Sequence, residues 1–270
     1  MPLAYYSRAA SEEFWSEHWA REDVHRLVEI ASHSPLTGII EAALPAAGRM
    51  LEAGCGLGQY VILLRQRGRA VSGADWSLDA LRRCRAAMPS APLAVMDLGR
   101  LGIKSGVLAA YISLGVVEHD ANGPGAIVSE AVRVLAPGGT LLLSVPYWNG
   151  TRRVLARRVI REGRRIRAAG GRFYQFAFSR NEVRSALEAH GVQVLSFHPY
   201  DPARMWRTRF KRLAAALGGA ARTGPPSDSI DSAPRARGRR LARSVLKKVL
   251  YSPLSLRLFG HMILAVAVKR

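Results

Sequence analysis

Two cysteines in 270 residues, Cys55 and Cys84, are too few for a disulfide framework, and nothing in the chain suggests a metal site. So few cysteines fit a reducing compartment. No apolar run approaches the ~20 residues that span a bilayer. The longest, Met262 to Val268, has the length of a strand. The opening residues, Met1 to Ser7, lack the basic region and apolar core of a signal peptide. A cytoplasmic chain is the expectation. Acidic side chains are also scarce, 20 against 40 Lys and Arg, for a net charge of +20. That shortage is local. Residues 1–150 hold 13 basic and 14 acidic side chains, and residues 173–200 are neutral. Residues 151–172 hold nine Arg and one Glu, and residues 201–258 hold 14 basic and three acidic side chains. Drift toward arginine would spread over the whole surface, so the clustering points to an anionic partner or surface.

What is present is organised around Met50 to Tyr60, M-L-E-A-G-C-G-L-G-Q-Y. A strand that ends in a glycine-rich turn and restarts as a helix leaves unpaired N–H groups pointing outward. The spacing E-x-G-x-G-x-G differs from the G-x-G-x-x-G of a dinucleotide fold. An acid at the strand end, Glu52, suits a ligand carrying positive charge and would repel a pyrophosphate. Asp75 follows a second predicted strand, 23 residues after Glu52, at the place where a carboxylate can accept from both ribose hydroxyls. Trp76 could cover an adenine face. Asp97 ends a third short strand, where it can accept from an exocyclic amine. Further predicted strands cover residues 109–114, 140–145, 192–198 and 262–268, with helices at 59–67, 80–88, 126–135 and 180–190. This alternation predicts an open, doubly wound α/β sheet covered on both faces. Residues 3–33 read as helical, with Phe14, Trp15, His18 and Trp19 forming an aromatic stripe that either packs on the core or meets substrate. A helix over 35–44 completes an N-terminal helical cap, 1–45.

These residues together resemble class I S-adenosylmethionine-dependent methyltransferases, within the type 11 group related to the ubiquinone/menaquinone methyltransferases. The supporting stretches are Leu51 to Gly58, Asp75, Met96-Asp97-Leu98, Ser113 to His119 and Arg133 to Gly139. The resemblance covers residues 46–200 and 259–270. It implies a Rossmann-like sheet of seven strands in the order 3-2-1-4-5-7-6, the last antiparallel. It implies S-adenosylmethionine as cofactor, with Gly54, Gly56 and Gly58 cradling its methionine half and Glu52 close beneath. Asp75 would bind the ribose, Met96, Asp97 and Leu98 the adenine, and Leu114, Gly115 and His119 would border the methyl group. The family's acidic-aromatic pair before the fourth strand is replaced by Ser105 to Ala110.

His119 is the candidate general base, because its ordinary pKa is near neutral; holding the turn or packing on the cofactor is the alternative. Glu118 is expected to be solvent-exposed or structural. The basic insertions, 151–172 and 201–258, leave the carboxyl ends of strands and so rise on the ligand face. Arg152, Arg153, Arg157, Arg158 and Arg161 would crowd one side of a helix and could hold phosphate. Residues 204–217 and 239–250 have the composition of basic amphipathic helices on an anionic membrane interface. Lid helices with solvated basic faces are the plainer reading. The function expected is methylation, at oxygen first, of a small-molecule or lipid-linked anionic acceptor by a protein peripheral to the inner membrane. The alternatives are an RNA or DNA methyltransferase, and a non-catalytic membrane- or partner-binding protein that keeps the fold.

Overall fold

The structure, a computed structural model, describes residues 1–7, 9–204 and 248–270. The chain begins with a strand. β1 (Leu3–Ser7) is followed by α1 (Glu12–Ala20), α2 (Val24–Ser32) and α3 (Pro35–Ala43). The alternating core follows: β2 (Met50–Ala53), α4 (Gln59–Gln66), β3 (Val71–Asp75), α5 (Leu78–Ala87), β4 (Leu93–Val95), β5 (Leu108–Leu114), a single 3-10 turn (Val117–His119), α6 (Gly125–Val134) and β6 (Leu135–Pro146). Next come α7 (Gly150–Val154), α8 (Ala156–Ala168), β7 (Arg172–Ala177), α9 (Arg180–Glu188) and β8 (Val192–Tyr200). α10 (Pro253–Phe259) and β9 (Met262–Lys269) complete the described elements.

The seven-stranded sheet has the order β4-β3-β2-β5-β6-β9-β8. The first five strands are parallel, and β9 runs antiparallel to both its neighbours, β6 and β8. This is the Rossmann-like arrangement expected. Strand periodicity divides the core cleanly. Leu51, Tyr111, Leu141, Leu143, Ile263 and Ala265 face one layer with Val128 and Val134 of α6 and Val183 and Leu187 of α9. Met50, Ala110, Ile112, Leu142 and Leu264 face the other with Ile40 of α3, Val61 and Leu64 of α4 and Leu81 of α5.

Two departures from the sequence reading lie at the N-terminus and in the arginine run. Residues 3–7 are a strand, not the start of a helix, and pair antiparallel with β7 from Leu3↔Ala177 to Ser7↔Arg172. L-A-Y-Y-S is aromatic and suits a pleated, half-buried surface. The partner that satisfies its backbone lies some 170 residues away and leaves no local trace. Gly163 on α8 lets this hairpin-like pair lie close to the helix, since a Cβ there would be 3.2 Å from the Tyr6 ring. The second departure concerns the arginine run. The chain breaks between α7 and α8 at Leu155, so the five arginines do not share one helix face. Arg152 turns inward and is buried. It donates to the backbone oxygens of Tyr147 (2.5 Å) and His261 (2.8 Å) and to His261 Nδ1 (3.1 Å).

The basic amphipathic segments 204–217 and 239–250 lie outside the described residues except for Arg204 and Lys248 to Leu250. No helix among the described residues is long and apolar enough to cross a membrane.

Candidate active site

A cavity of about 870 Å³ opens at the carboxyl ends of β2, β3, β4 and β5, within the size range of small-molecule sites. Its lining joins ten residues singled out from sequence: Glu52, Gly54, Asp75, Trp76, Met96, Asp97, Leu98, Leu114, Gly115 and His119. They sit at the tips of adjacent parallel strands, so sheet register alone brings them together. Gly56 and Gly58 are not among the described lining residues. Both have positive φ, +52° and +71°, which a residue with a Cβ adopts only at a cost. Each also serves packing. A Cβ on Gly56 would meet the Trp19 ring, and one on Gly58 would meet the sulfur of Cys84. Their part is to shape the loop, while Gly54 and Cys55 face the cavity.

Two buried carboxylates brace that loop. Asp75 Oδ2 accepts from Gly56 N (2.7 Å) and Oδ1 from Ser77 N (2.9 Å). Glu52 Oε2 accepts from Val61 N (2.8 Å) in the first turn of α4. Glu52 is 2% exposed. Burial pushes its pKa up to about 8, against the lowering effect of the Val61 N–H, and the Asp75 charge raises it further. Burial also raises the pKa of Asp75, and its backbone bonds oppose this. A carboxylate has about four lone-pair sites, so both side chains keep acceptor capacity toward the cavity. Asp97 Oδ1 accepts from Gly99 N (2.9 Å), which fixes the turn after β4. Trp76 is 47% exposed at the rim.

The opposite wall is aromatic. Phe14, Trp15, His18 and Trp19 of α1 line it together with His119 and Tyr174. Trp15 meets the His119 ring edge-on at 5.1 Å, Tyr174 meets it at 5.1 Å, and Phe14 meets Tyr174 at 5.8 Å. The α1 stripe therefore faces the site. Its helix is capped by Ser11, which accepts from Phe14 N. It is held over the glycine loop by Arg83, which donates to the backbone oxygens of Trp19 and Glu22. His119 Nδ1 lies 2.8 Å from the Tyr174 backbone oxygen. A carbonyl only accepts, so Nδ1 carries the hydrogen and Nε2 the lone pair. Burial lowers the His119 pKa, which keeps the ring neutral near pH 7.

Sequence reasoning placed Glu118 in solvent or in a structural bond. It is 2% exposed, lines the cavity, and burial raises its pKa to about 8. Its Oε2 and Gln59 Oε1 are buried without a hydrogen-bond partner among the described residues. Both side chains line the cavity. Gln59, at the first position of α4, was not picked out from sequence, although its place directly after the last glycine of the turn was a usable signal. Tyr174, Arg100 and His261 also line the cavity unforeseen. Tyr174 and His261 arrive through β7 and β9, which no local pattern connects to the glycine loop.

Residues 51–143 match the family described as a methyltransferase domain. The chain carries a class I S-adenosylmethionine-dependent methyltransferase domain of the type 11 group. A probable S-adenosylmethionine-dependent methyltransferase of Mycolicibacterium smegmatis is 35% identical to it over 101 residues. That match covers 37% of this chain and 39% of the relative, so the chain spans about two fifths of the curated protein's length. Three solved structures share the fold of the methyltransferase domain. An S-adenosylmethionine-dependent methyltransferase from Mesorhizobium loti has a TM-score of 0.56 at 17% identity, covering 88% of this chain and 100% of its own. One from Methanosarcina mazei has a TM-score of 0.57 at 16% identity, covering 86% and 96%. Phosphoethanolamine N-methyltransferase 2 of Haemonchus contortus, solved with S-adenosyl-L-methionine, has a TM-score of 0.53 at 16% identity, covering 86% and 51%. The methyltransferase domain's cavity suits that cofactor chemically. Three carboxylates line one side, and two unpartnered polar atoms, Gln59 Oε1 and Glu118 Oε2, stand ready for a ligand bearing ammonium and hydroxyl donors.

Proposed function

We propose that the protein methylates an oxygen of a small-molecule or lipid-linked, anionic acceptor, and works in the cytoplasm at the inner membrane surface. The observation that carries this reading is the His119 ring. It is neutral, its Nδ1 hydrogen is committed to the Tyr174 carbonyl, and it lines the same cavity as Gly54 and Cys55 from the aromatic wall. A hydroxyl is a poor nucleophile and needs a base.

S-adenosylmethionine supplies an activated methyl group on a sulfonium. Glu52, Asp75 and Asp97, with Gly54, Gly115, Leu114, Met96, Leu98 and Trp76, would bind and orient it. Phe14, Trp15 and Tyr174 exclude water from the acceptor side, which strengthens every electrostatic contact inside. His119 Nε2 would take the hydroxyl proton as the methyl–sulfur bond breaks and the methyl–oxygen bond forms, the sulfonium leaving as a neutral thioether. Arg100 and Arg204 in the lining suit an acceptor of negative charge. The basic segments 204–217 and 239–250 would bring the mouth to an anionic membrane.

Methyl-labelled cofactor incubated with cell extract, separated into lipid, nucleic-acid and small-molecule fractions, tests the acceptor, with Asp75→Ala as control. Label is expected in the lipid or small-molecule fraction; label in RNA or DNA would overturn the reading. His119→Asn tests the base. The asparagine amide can still donate to the Tyr174 carbonyl but offers no basic nitrogen. The expected result is a kcat lower by about 10²–10⁴-fold with cofactor affinity kept. Retained activity in His119→Asn would reduce the histidine to a turn anchor.

A further inference from the structure

A second cavity, of about 610 Å³, lies apart from the first, between α7, the start of α9 and α10. Tyr147, Gly150, Arg153, Arg180, Asn181, Leu254, Arg257 and Leu258 line it. None of these residues lines the cofactor cavity. Three guanidinium groups therefore share one hollow, and no acid is among its described lining residues. None of the three forms an ion pair among the described residues. The acid nearest in sequence, Glu182, is committed elsewhere. Its Oε2 bonds Ser179 and its Oε1 meets the amino terminus of Met1 at 3.1 Å.

Two of the arginines are held by aromatic faces. Arg180 lies over the Tyr147 ring and Arg153 over Trp148, each 5.9 Å from the ring centroid. Arg153 Nε donates to the Trp148 backbone oxygen (3.3 Å), which leaves its two terminal NH2 groups; these and the N–H groups of Arg180 can give a phosphate paired hydrogen bonds. The hollow is not wholly polar. Leu254 and Leu258 form its α10 side, and Leu254 is 67% exposed. On the facing helix Val154 is 84% exposed, directly after Arg153. Large apolar side chains beside unpaired arginines are costly in water and favourable where headgroup phosphates meet acyl chains.

We infer that this hollow is a headgroup site for an anionic phospholipid, with Arg153, Arg180 and Arg257 on the phosphate and Leu254, Leu258 and Val154 entering the acyl boundary. It shares the membrane setting of the proposed function but not its residues, and it stands whether or not His119 acts as a base. A net charge of +20 drives binding to any anionic surface. The test must therefore separate a built site from general attraction.

Full-length protein is sedimented with phosphatidylcholine vesicles and with mixed phosphatidylcholine–phosphatidylglycerol vesicles. Two variants of equal charge are compared: Arg153→Gln/Arg180→Gln/Arg257→Gln in the hollow, and Arg161→Gln/Arg164→Gln/Arg167→Gln on the exposed face of α8. S-adenosylmethionine titration of each variant reports the fold and the cofactor site independently. The hollow variant is expected to lose at least tenfold in affinity for mixed vesicles relative to the α8 variant, and Leu254→Ser severalfold. Equal losses from both triple variants would overturn the inference in favour of diffuse attraction. Displacement from the vesicles by millimolar glycerol phosphate would also overturn it, because the site would then serve a soluble phosphate.

Discussion

The two walls of the main cavity are built in opposite ways. The glycine wall comes from consecutive strand tips of one sheet, and backbone geometry decides it. Gly54, Gly56 and Gly58 all have positive φ, and Asp75 and Glu52 brace the loop through main-chain N–H groups. The aromatic wall is assembled from α1, the 3-10 turn and β7, which meet through aromatic side chains and the Tyr174 carbonyl. The first wall is local and rigid, which suits an invariant ligand. The second depends on long-range packing, so acceptor choice can change there without disturbing the cofactor loop.

The largest expected effect tests the rigidity of the glycine wall. Gly58→Ala forces a side chain into φ +71° and toward the Cys84 sulfur. The left-handed conformation costs ~1–2 kcal/mol and overpacking a further ~1–3 kcal/mol. Cofactor Kd should rise on the order of 100-fold by calorimetry. Adding Cys84→Ala should recover the packing part only. Full recovery would mean that the backbone conformation is not what matters.

A smaller effect is expected from Glu52. Its pKa of about 8 means that the site without a cationic ligand is mostly protonated there at pH 7. A cation favours the carboxylate, so binding expels a proton, and affinity should rise with pH and level off above about 8. The slope limit is roughly tenfold per pH unit. Glu52→Gln should make the profile shallower, leaving the share of Glu118, whose pKa burial also raises to about 8. An unchanged slope would remove Glu52 from the cofactor's surroundings.

The smallest effect probes where the two walls touch. Trp19→Ala uncovers Gly56 but leaves every carboxylate in place. A loss of about 1 kcal/mol, roughly fivefold in cofactor Kd, is expected. A hundredfold loss would show that the aromatic wall holds the glycine loop in shape, and the contrast between the walls would fail.

The same contrast explains what could be read from sequence. Glu52, Asp75 and Asp97 were legible because each closes a short apolar run with an acid, whereas the order of the strands came from the family resemblance and not from spacing. Which glycines face the cavity was not legible, since that depends on Trp19 and Cys84 filling the space behind Gly56 and Gly58. β1 was misread because its partner, β7, is distant in sequence. Arg152 looks like its neighbours in an arginine run. Only the Tyr147 and His261 carbonyls, gathered by folding, draw it inside.

Strand β9 sits between β6 and β8 and pairs with each over most of its length. The ribosome delivers it after every other strand of the sheet. Until then β6 presents an open edge and β8 has no neighbour in the sheet, so a nascent chain carries an exposed apolar edge from the synthesis of Pro146 until that of Met262. Closure of the sheet is thus a late event, one that carries His261 and Met262 to the main cavity in the same step.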